Sequence, residues 1–343
     1  MSAIGTYGFV NAKVRAMRSY LLGPSRYHHL AESKDYAGLI SGLAETAYKA
    51  DIDRYDTDEP EDMEAVLFRH EVDRLQTIHK NCKGNLRRFM SLLLERYETE
   101  RLKSLLRIWH KKLPDVPDHL RLPVLFPIHA EEITDIDNYS GLIRLWAGTP
   151  CEPVLRDQQA AYEKKQSLFP VELALDRDIF QRIRQANTEL NRKDRAIADR
   201  LIGIETDIKN FQWIYRLRHY YDVASADMVE MLLPAGYRLN QDRIQKLIIS
   251  GNAADMLTHL VRGLSSVFSS VQDNPDNWDR VELILYQMLF REARAAFAEF
   301  PFSIGALLGY FYLIRIESRN IKTLVFAKQY GMEADKVEPL LVY

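Results

Sequence analysis

The feature of the sequence that most constrains its fold is a short motif that occurs three times. An acidic residue is followed three positions later by a polar residue, and apolar residues stand four and seven positions after the acid. Side chains at these offsets share one face of an α-helix, so the motif predicts a helix with a polar pair beside an apolar stripe. The copies begin at Glu98, Asp207 and Glu317, about 110 residues apart, which indicates internal repetition. The third copy lies within residues 307–332, which we predict to form one long helix.

A second landmark repeats in the same order. Residues 36–48 and 139–151 align without a gap, and Tyr, Gly, Leu, Ile, Ala and Thr coincide. A weaker third copy covers residues 254–263. A short polar segment precedes each copy and is suited to cap the N-terminus of a helix. Because both landmarks keep their order and interval, the sequence predicts three similar helical units.

The predicted units are residues 1–112, 113–222 and 223–343, the last with a C-terminal tail. The first boundary lies in a proline-rich connector that starts at Leu113, and the second lies near residues 221–227. Three small helical bundles can stack in a row or close around an axis. The repeats alone leave both arrangements open.

The helical period extends over nearly the whole chain, so the predicted fold class is all-α. Apolar residues recur at intervals of three and four, and Gly and Pro fall between the helical runs. The longest uncharged run, residues 300–314, is shorter than the roughly 20 residues of a membrane-spanning helix. We therefore expect a buried helix there and a soluble protein that does not itself span a membrane. The N-terminal region also lacks the pattern of a signal peptide.

The charge balance and the cysteine content restrict the class of protein further. The chain has 48 acidic and 46 basic residues, a formal net charge of −2, whereas nucleic-acid binding requires a clustered basic surplus. We therefore expect no nucleic-acid partner. Two cysteines are too few for a disulfide framework, and they indicate the reduced thiols of a cytosolic protein.

No catalytic or cofactor-binding motif is present in the sequence. There is no glycine-rich phosphate loop and no dinucleotide-binding fingerprint. The nearest metal-like string begins at His70, but Arg74 stands where a second histidine would be needed. We therefore expect no catalytic residue, no metal and no cofactor.

The acids of the three motifs have two interpretations. Each can be a helix-face acid paired with a base one turn away, such as Lys103 or Lys322, or it can serve a functional site. For Glu98 the pairing interpretation is favoured. For Asp207 and Glu317 both stay open, because each acid lies beside an Asn on a strongly apolar helix, where an unpaired charge is costly.

Several segments together resemble a known family. They are residues 7–16 (YGFVNAKVRA), 204–210 (IETDIKN), 317–321 (ESRNI) and the apolar end 340–343 (LLVY). In their order and spacing they are similar to the C subunit of bacterial and archaeal V/A-type rotary ATPases, the counterpart of the d subunit of eukaryotic vacuolar ATPases. The resemblance covers the whole chain.

The resemblance implies both a fold and a function. The fold is three similar helical bundles around a pseudo-threefold axis, which form a funnel. The function is that of a non-catalytic central-rotor adaptor between the central stalk, with its D and F type subunits, and the membrane rotor ring of K/c subunits. Such a protein serves ATP-linked proton or sodium transport and is peripheral, at the cytoplasmic face of the membrane.

The resemblance also suggests which residues line or brace the socket that receives the stalk. They are Glu98, Glu205, Asp207, Asn210, Arg216, Glu317 and Asn320. The first unit departs from the pattern, since Arg101 stands where the other two units have Asn. This departure weakens the assignment of Glu98.

Two other functions are alternatives to this one. One is a free-standing helical-repeat scaffold for protein–protein interaction, which would grip peptides in a groove. The other is an enzyme with a carboxylate metal site inside a helical bundle. Such sites use Glu-x-x-His pairs, and none stands beside the acid motifs.

Overall fold

The computed structural model describes residues 3–220, 228–250 and 278–343, except for positions 56, 58, 230, 234 and 235. In these residues the regular structure is helical and no strand is present, which confirms the predicted all-α class. The α-helices are α1 (Ala3–Arg18), α2 (Pro24–Ala31), α3 (Tyr36–Ala44), α4 (Lys49–Ile52), α5 (Met63–His79), α6 (Gly84–Lys111), α7 (Asp118–Arg121), α8 (Tyr139–Leu145), α9 (Cys151–Lys165), α10 (Phe169–Asn187), α11 (Arg192–Tyr220), α12 (Gln241–Ser250), α13 (Trp278–Ala298), α14 (Gly305–Gln329) and α15 (Ala334–Val337). Short 3-10 helices cover Pro60–Asp62, Ala130–Asp135 and Glu338–Leu340.

Two of the predicted helix caps are present at equivalent positions of the repeat. The Asp35 side chain accepts a hydrogen bond from the Gly38 N–H at 2.9 Å and starts α3. The Asn138 side chain accepts from the Gly141 N–H at 3.1 Å and starts α8. Each cap satisfies a backbone donor that the first turn of a helix leaves unpaired. The third copy, at 254–263, and the second predicted boundary, at 221–227, lie outside the described residues.

The chain divides into two compact units. The first comprises Met1–Glu32, Leu190–Ala327 and Met332–Tyr343, and the second comprises Ser33–Glu189 and Lys328–Gly331. The predicted boundary after residue 112 falls inside the second unit, where α6 ends. The three-unit division and the arrangement around a threefold axis stay predictions.

The core of the first compact unit is built around α14, the helix predicted from the third motif. It begins two residues earlier and ends three residues earlier than predicted, and most of its side chains are buried. Gly305 and Gly309 lie against α13, since a Cβ on them would stand 2.4 Å from the Ala296 oxygen and 2.6 Å from the Ala293 oxygen. The predicted buried helix in the uncharged run is confirmed for residues 305–314.

The second compact unit has its core between α6, α9 and α10. Trp146 and Leu102 are fully buried there within a continuous apolar cluster. Lys103 of α6 is buried as well, and its ammonium group pairs with Asp176 of α10 at 2.8 Å. Cys82 and Cys151 are buried free thiols.

Candidate functional site

The second motif fastens α11 to the chain segment that follows it. Asp207 and Asn210 are both fully buried. Asp207 Oδ2 accepts a hydrogen bond from the Arg238 N–H at 2.7 Å, and Oδ1 accepts from the Leu239 N–H at 3.1 Å. Asn210 exchanges two hydrogen bonds with the backbone of Leu233, at 2.9 Å and 2.8 Å. We call this arrangement a clamp. In a clamp, an acidic side chain accepts hydrogen bonds from backbone N–H groups, and a polar side chain three positions later also forms hydrogen bonds with backbone groups.

Glycine residues leave space for the carboxylate of Asp207 inside the turn whose N–H groups donate hydrogen bonds to it. The Gly236 N–H donates to the Leu239 oxygen at 3.2 Å and closes the turn. A Cβ on Gly236 would stand 1.6 Å from Asp207 Oδ1, so that position accepts only glycine without movement. Gly203, one helical turn before Asp207, lets Tyr237 lie directly against α11.

The burial of Asp207 has an electrostatic consequence. It raises the pKa of this carboxyl to about 6, although the backbone N–H groups of the turn act in the opposite direction. Removing a charge from water disfavours the charged form, and here this effect outweighs the hydrogen bonds that stabilise the carboxylate.

The third motif repeats the clamp on α14. Glu317 Oε2 accepts a hydrogen bond from the Leu22 N–H, in the segment between α1 and α2. Asn320 Nδ2 donates to the Val342 oxygen at 2.8 Å, and its Oδ1 accepts from the Val342 N–H at 2.9 Å. The C-terminal tail thus held also stacks on α2, because the rings of Tyr343 and Tyr27 lie 5.2 Å apart and almost parallel.

The first motif forms the same kind of clamp with an arginine in place of the asparagine. Glu98 Oε2 accepts from the N–H groups of Val124 and Leu125, each at 3.0 Å. Arg101 Nη1 donates to Glu98 Oε1 at 2.6 Å, and its other nitrogens donate to backbone oxygens, including that of Leu120 at 2.7 Å. The guanidinium group of Arg101 therefore binds the backbone through several hydrogen bonds, whereas the amide group of Asn210 or Asn320 uses two.

The predicted pairing of Glu98 with a base one turn away is confirmed, but the base is not the one given as an example. The acid is paired, but with Arg101 rather than with Lys103, which pairs with Asp176 and with Glu100. An offset of five residues turns Lys103 away from Glu98 around the helix, whereas an offset of three brings Arg101 onto the same face.

Glu205 belongs to a different feature, a small cleft between α11, α13 and α14. Its Oε2 accepts from the Tyr312 hydroxyl at 2.8 Å, and its Oε1 pairs with Arg315. The cleft has a volume of about 100 Å³, and Lys209 and Arg319 also line it. Glu205 lines this cleft and is almost fully buried.

Arg216 is the exposed member of the predicted set. Its guanidinium lies 5.7 Å from the centre of the Trp213 ring on the same helix. The structure thus places the predicted residues in three environments: buried clamps, the cleft and the surface of α11. Glu98 lies in the second compact unit and all the others lie in the first.

Two general properties of the described residues bear on function. No three His, Cys, Asp or Glu side chains in this part of the chain are grouped so that they could hold a metal ion. Within the same residues, no helix combines the length and the apolar character that a membrane crossing needs.

Comparison with known proteins identifies the family. The family model described as the ATP synthase (C/AC39) subunit matches residues 10–340. The chain belongs to this family. The resemblance to the C subunit of V/A-type rotary ATPases that the sequence motifs indicate is therefore confirmed.

This C/AC39 family member is similar to several proteins that are named as the C subunit of A-type ATP synthase. The one from Methanocaldococcus jannaschii is 20% identical, over 99% of this chain and 87% of the relative. The one from Archaeoglobus fulgidus is 21% identical, over 98% of this chain and 96% of the relative. The one from Methanosphaera stadtmanae is 22% identical, over 94% of this chain and 84% of the relative.

The sequence motifs did not reveal another polar fastening in this C/AC39 protein, at the start of α11. Asp194 Oδ1 accepts from the Ile304 N–H at 2.8 Å, and Oδ2 accepts from the Tyr7 hydroxyl. Asn11 of α1 donates to the oxygens of Pro301 and Ser303. The available signal was weak: an acid in the first turn of a helix is common, because it complements the helix dipole.

Proposed function

We propose that this C/AC39 family member is a non-catalytic adaptor of the central rotor in a V/A-type ATPase or ATP synthase. In this role it joins the central stalk to the membrane rotor ring and carries no nucleotide site of its own. The observation that carries the proposal is the family match over residues 10–340, with relatives that are named as the C subunit of A-type ATP synthase and are matched over almost their full length.

The clamps support a function under mechanical load. Each compact unit contains helices whose connecting segments are held by buried side chains: Glu98 and Arg101 in the second unit, and Asp207, Asn210 and Asn320 in the first. A buried hydrogen bond cannot be exchanged for water without a cost, so these segments resist separation from their helices. An adaptor that transmits torque needs such resistance.

The proposed partners follow from the role. They are the D and F type subunits of the central stalk on one side and the K/c subunits of the rotor ring on the other. The proposed location is the cytoplasmic face of the membrane, as a peripheral part of the complex. For the transported ion, both proton and sodium are compatible with this function.

The proposed architecture is three related bundles around a pseudo-threefold axis, in the form of a funnel. Its support is the repetition of structural detail: two equivalent caps, at Asp35 and Asn138, and three clamps about 110 residues apart. An electron-microscopy map of the assembled complex tests it. Three superposable lobes around a hollow are expected, and lobes in a row would support the peptide-gripping scaffold instead.

The adaptor function is tested in membranes from the native host. A tag on this chain should co-isolate the nucleotide-binding, stalk and ring subunits. Membranes that lack the chain should lose ATP-driven ion transport, because the stalk no longer turns the ring, and re-addition of the purified chain should restore it. Undiminished ion transport without the chain would contradict the proposal, as would isolation of the chain with proteins unrelated to the ATPase.

For the predicted stalk socket, we propose that the buried members brace it and that Arg216 contacts the stalk. Arg216→Ala should weaken binding of the purified stalk subunits, measured by calorimetry, without changing the urea midpoint. Lys246→Ala, which removes another exposed cation of the same compact unit, serves as the control and should change neither quantity.

The buried members need a different test. The double variant Asp207→Ala, Glu317→Ala should lower the urea midpoint and weaken stalk binding together, because both clamps are opened. If stalk binding is lost while the midpoint is unchanged, these acids line the socket instead of bracing it. If the midpoint falls and binding of the still folded fraction is normal, they serve only the fold.

A further inference from the structure

A basic groove lies between the C-terminal half of α1 and the C-terminal end of α13. Arg15 and Arg18 line it from α1, Ser19 lines it directly after α1, and Arg294 and Phe297 line it from α13. Its volume is about 580 Å³, and all its lining residues belong to the first compact unit. None of these residues takes part in the clamps or in the cleft around Glu205.

Each of the three guanidinium groups lies close to an aromatic ring, which does not neutralise its charge. Arg15 Nη2 donates to the Phe297 oxygen at 3.3 Å, and its guanidinium lies 5.2 Å from the centre of the Phe297 ring. Arg18 lies 5.5 Å from the same ring, and Arg294 lies 5.5 Å from the Phe290 ring. An aromatic face attracts a cation but carries no net charge, so the positive charge of the groove persists.

The acidic residues near this end of α13 form ion pairs with a residue outside the groove. Glu292 pairs with Arg200 at 3.1 Å, and Glu299 pairs with the same arginine at 2.8 Å. Among the described residues, no carboxylate stands within ion-pair distance of Arg15, Arg18 or Arg294. The groove thus brings three positively charged side chains together, in a chain whose net charge is −2.

We propose that this groove is a docking site for an acidic segment of a partner protein, whose carboxylates bind to Arg15, Arg18 and Arg294. The planar guanidinium group matches a carboxylate by paired hydrogen bonds, and charge-assisted bonds of this kind are among the strongest in proteins. The site requires that the chain has a protein partner, and it does not depend on the proposed rotor function.

Two observations favour a protein over a phospholipid surface. The groove combines the Phe297 ring with three arginines, and aromatic residues and Arg are enriched in protein interfaces. In addition, a net negative chain gains little from the general attraction of an anionic membrane, which acts on whole clusters of basic residues. A groove with three arginines suits a few discrete carboxylates.

The first experiment measures binding of a fluorescent oligoglutamate peptide to the full chain by anisotropy. The triple variant Arg15→Ala, Arg18→Ala, Arg294→Ala should weaken binding at least about tenfold, because it removes the charge-assisted hydrogen bonds. Lys13→Ala is the matched control, since Lys13 lies on α1 but does not line the groove, and it should change binding less than about twofold. Equal losses in both variants, or no loss in the triple variant, would overturn the proposal.

The same variants are then tested with vesicles of phosphatidylglycerol and phosphatidylcholine by co-sedimentation. Wild type and triple variant should sediment equally. If the triple variant loses vesicle binding and keeps peptide binding, the groove is a membrane contact and the proposal is wrong.

The second experiment identifies the segment that occupies the groove. A photo-crosslinker is attached to Ser19→Cys, and the labelling is selective because the two native cysteines are buried. In the assembled complex, the crosslinked peptide should come from another protein and should contain Asp or Glu near the site of attachment. Crosslinks only to lipid or to this chain itself, or none at all, would overturn the proposal.

Discussion

Asn320 forms two side-chain hydrogen bonds with one residue, Val342, which stands 22 positions later in the chain. The amide of Asn320 donates to the Val342 oxygen and accepts from the Val342 N–H. It therefore satisfies both backbone groups of Val342, as a neighbouring backbone segment would do. Asn210 does the same with Leu233, 23 positions later. The recurrence of this pair with nearly the same separation shows that the asparagine of the motif serves to hold the segment that follows its helix.

The clamp on the C-terminal tail predicts the effect of Asn320→Ala. The change leaves a buried donor and a buried acceptor of Val342 without partners, so it should lower the free energy of unfolding by about 2–4 kcal/mol. Urea denaturation measures this quantity. Digestion by carboxypeptidase should also become faster, because the tail is released from α14.

Thr323→Ala is the control for Asn320. Thr323 lies one turn further along α14 and bonds only to its own helix, at the Arg319 oxygen. Its removal should change the free energy of unfolding by less than about 0.5 kcal/mol. A tail in Asn320→Ala that is digested no faster than in the wild type would show that the clamp does not hold it.

The close approach of Gly236 to Asp207 predicts a strong effect of one methyl group. In Gly236→Ala the new Cβ would stand 1.6 Å from Asp207 Oδ1, so the turn or the carboxylate must move. We expect a loss of about 2–4 kcal/mol in the free energy of unfolding. Much of this loss should vanish in an Asp207→Ala background, because the two positions are in contact and their effects are coupled.

Gly23→Ala is the matched control for Gly236→Ala. A Cβ at Gly23 meets no atom within 4 Å, and its φ of −95° suits any residue. Its effect should stay below about 1 kcal/mol. Equal effects of both substitutions would mean that contact with Asp207 is not the cause.

Asp207 predicts a pH dependence with a definite sign. Burial raises the pKa of this carboxyl in the folded protein to about 6, from an ordinary value of 3.8. Between these values the folded state binds a proton that the unfolded state does not, so stability from this group is present below pH 4 and is lost as the pH rises through 6. The difference of about two pKa units corresponds to about 3 kcal/mol.

Denaturation in urea between pH 4.5 and 7 tests this dependence. The stability of the wild type relative to Asp207→Asn should rise as the pH falls, because only the wild type takes up the proton. Asp242→Asn, which removes an exposed carboxylate from α12, should follow the wild type over the same range. A difference between wild type and Asp207→Asn that does not vary with pH would refute the shifted pKa.

The sequence predicted helices better than it predicted what their polar residues do. Period and cap residues sufficed for α3, α8 and α14, because those signals are local. The motif spacing also identified Asp207 and Glu317 as unusual. Their partners are backbone N–H groups in connecting segments. One of these is the N–H of Leu22, 295 positions before Glu317. Every residue type except proline has a backbone N–H, so such a partner cannot be recognised from the sequence.

The buried pair of Glu98 and Arg101 provides the last prediction. Both side chains are fully enclosed, and Arg101 Nη1 donates to Glu98 Oε1 at 2.6 Å. Glu98→Ala leaves the guanidinium without its carboxylate and two backbone N–H groups without an acceptor, so the free energy of unfolding should fall by about 3–5 kcal/mol.

Asp53→Ala, which breaks the exposed pair with Lys49, should cost less than about 1 kcal/mol by the same urea measurement. The double variant Glu98→Ala, Arg101→Ala should cost less than the sum of the single variants, because the second change removes the charge that the first leaves unpaired. Strictly additive losses would show that the two residues stabilise the helix independently of each other.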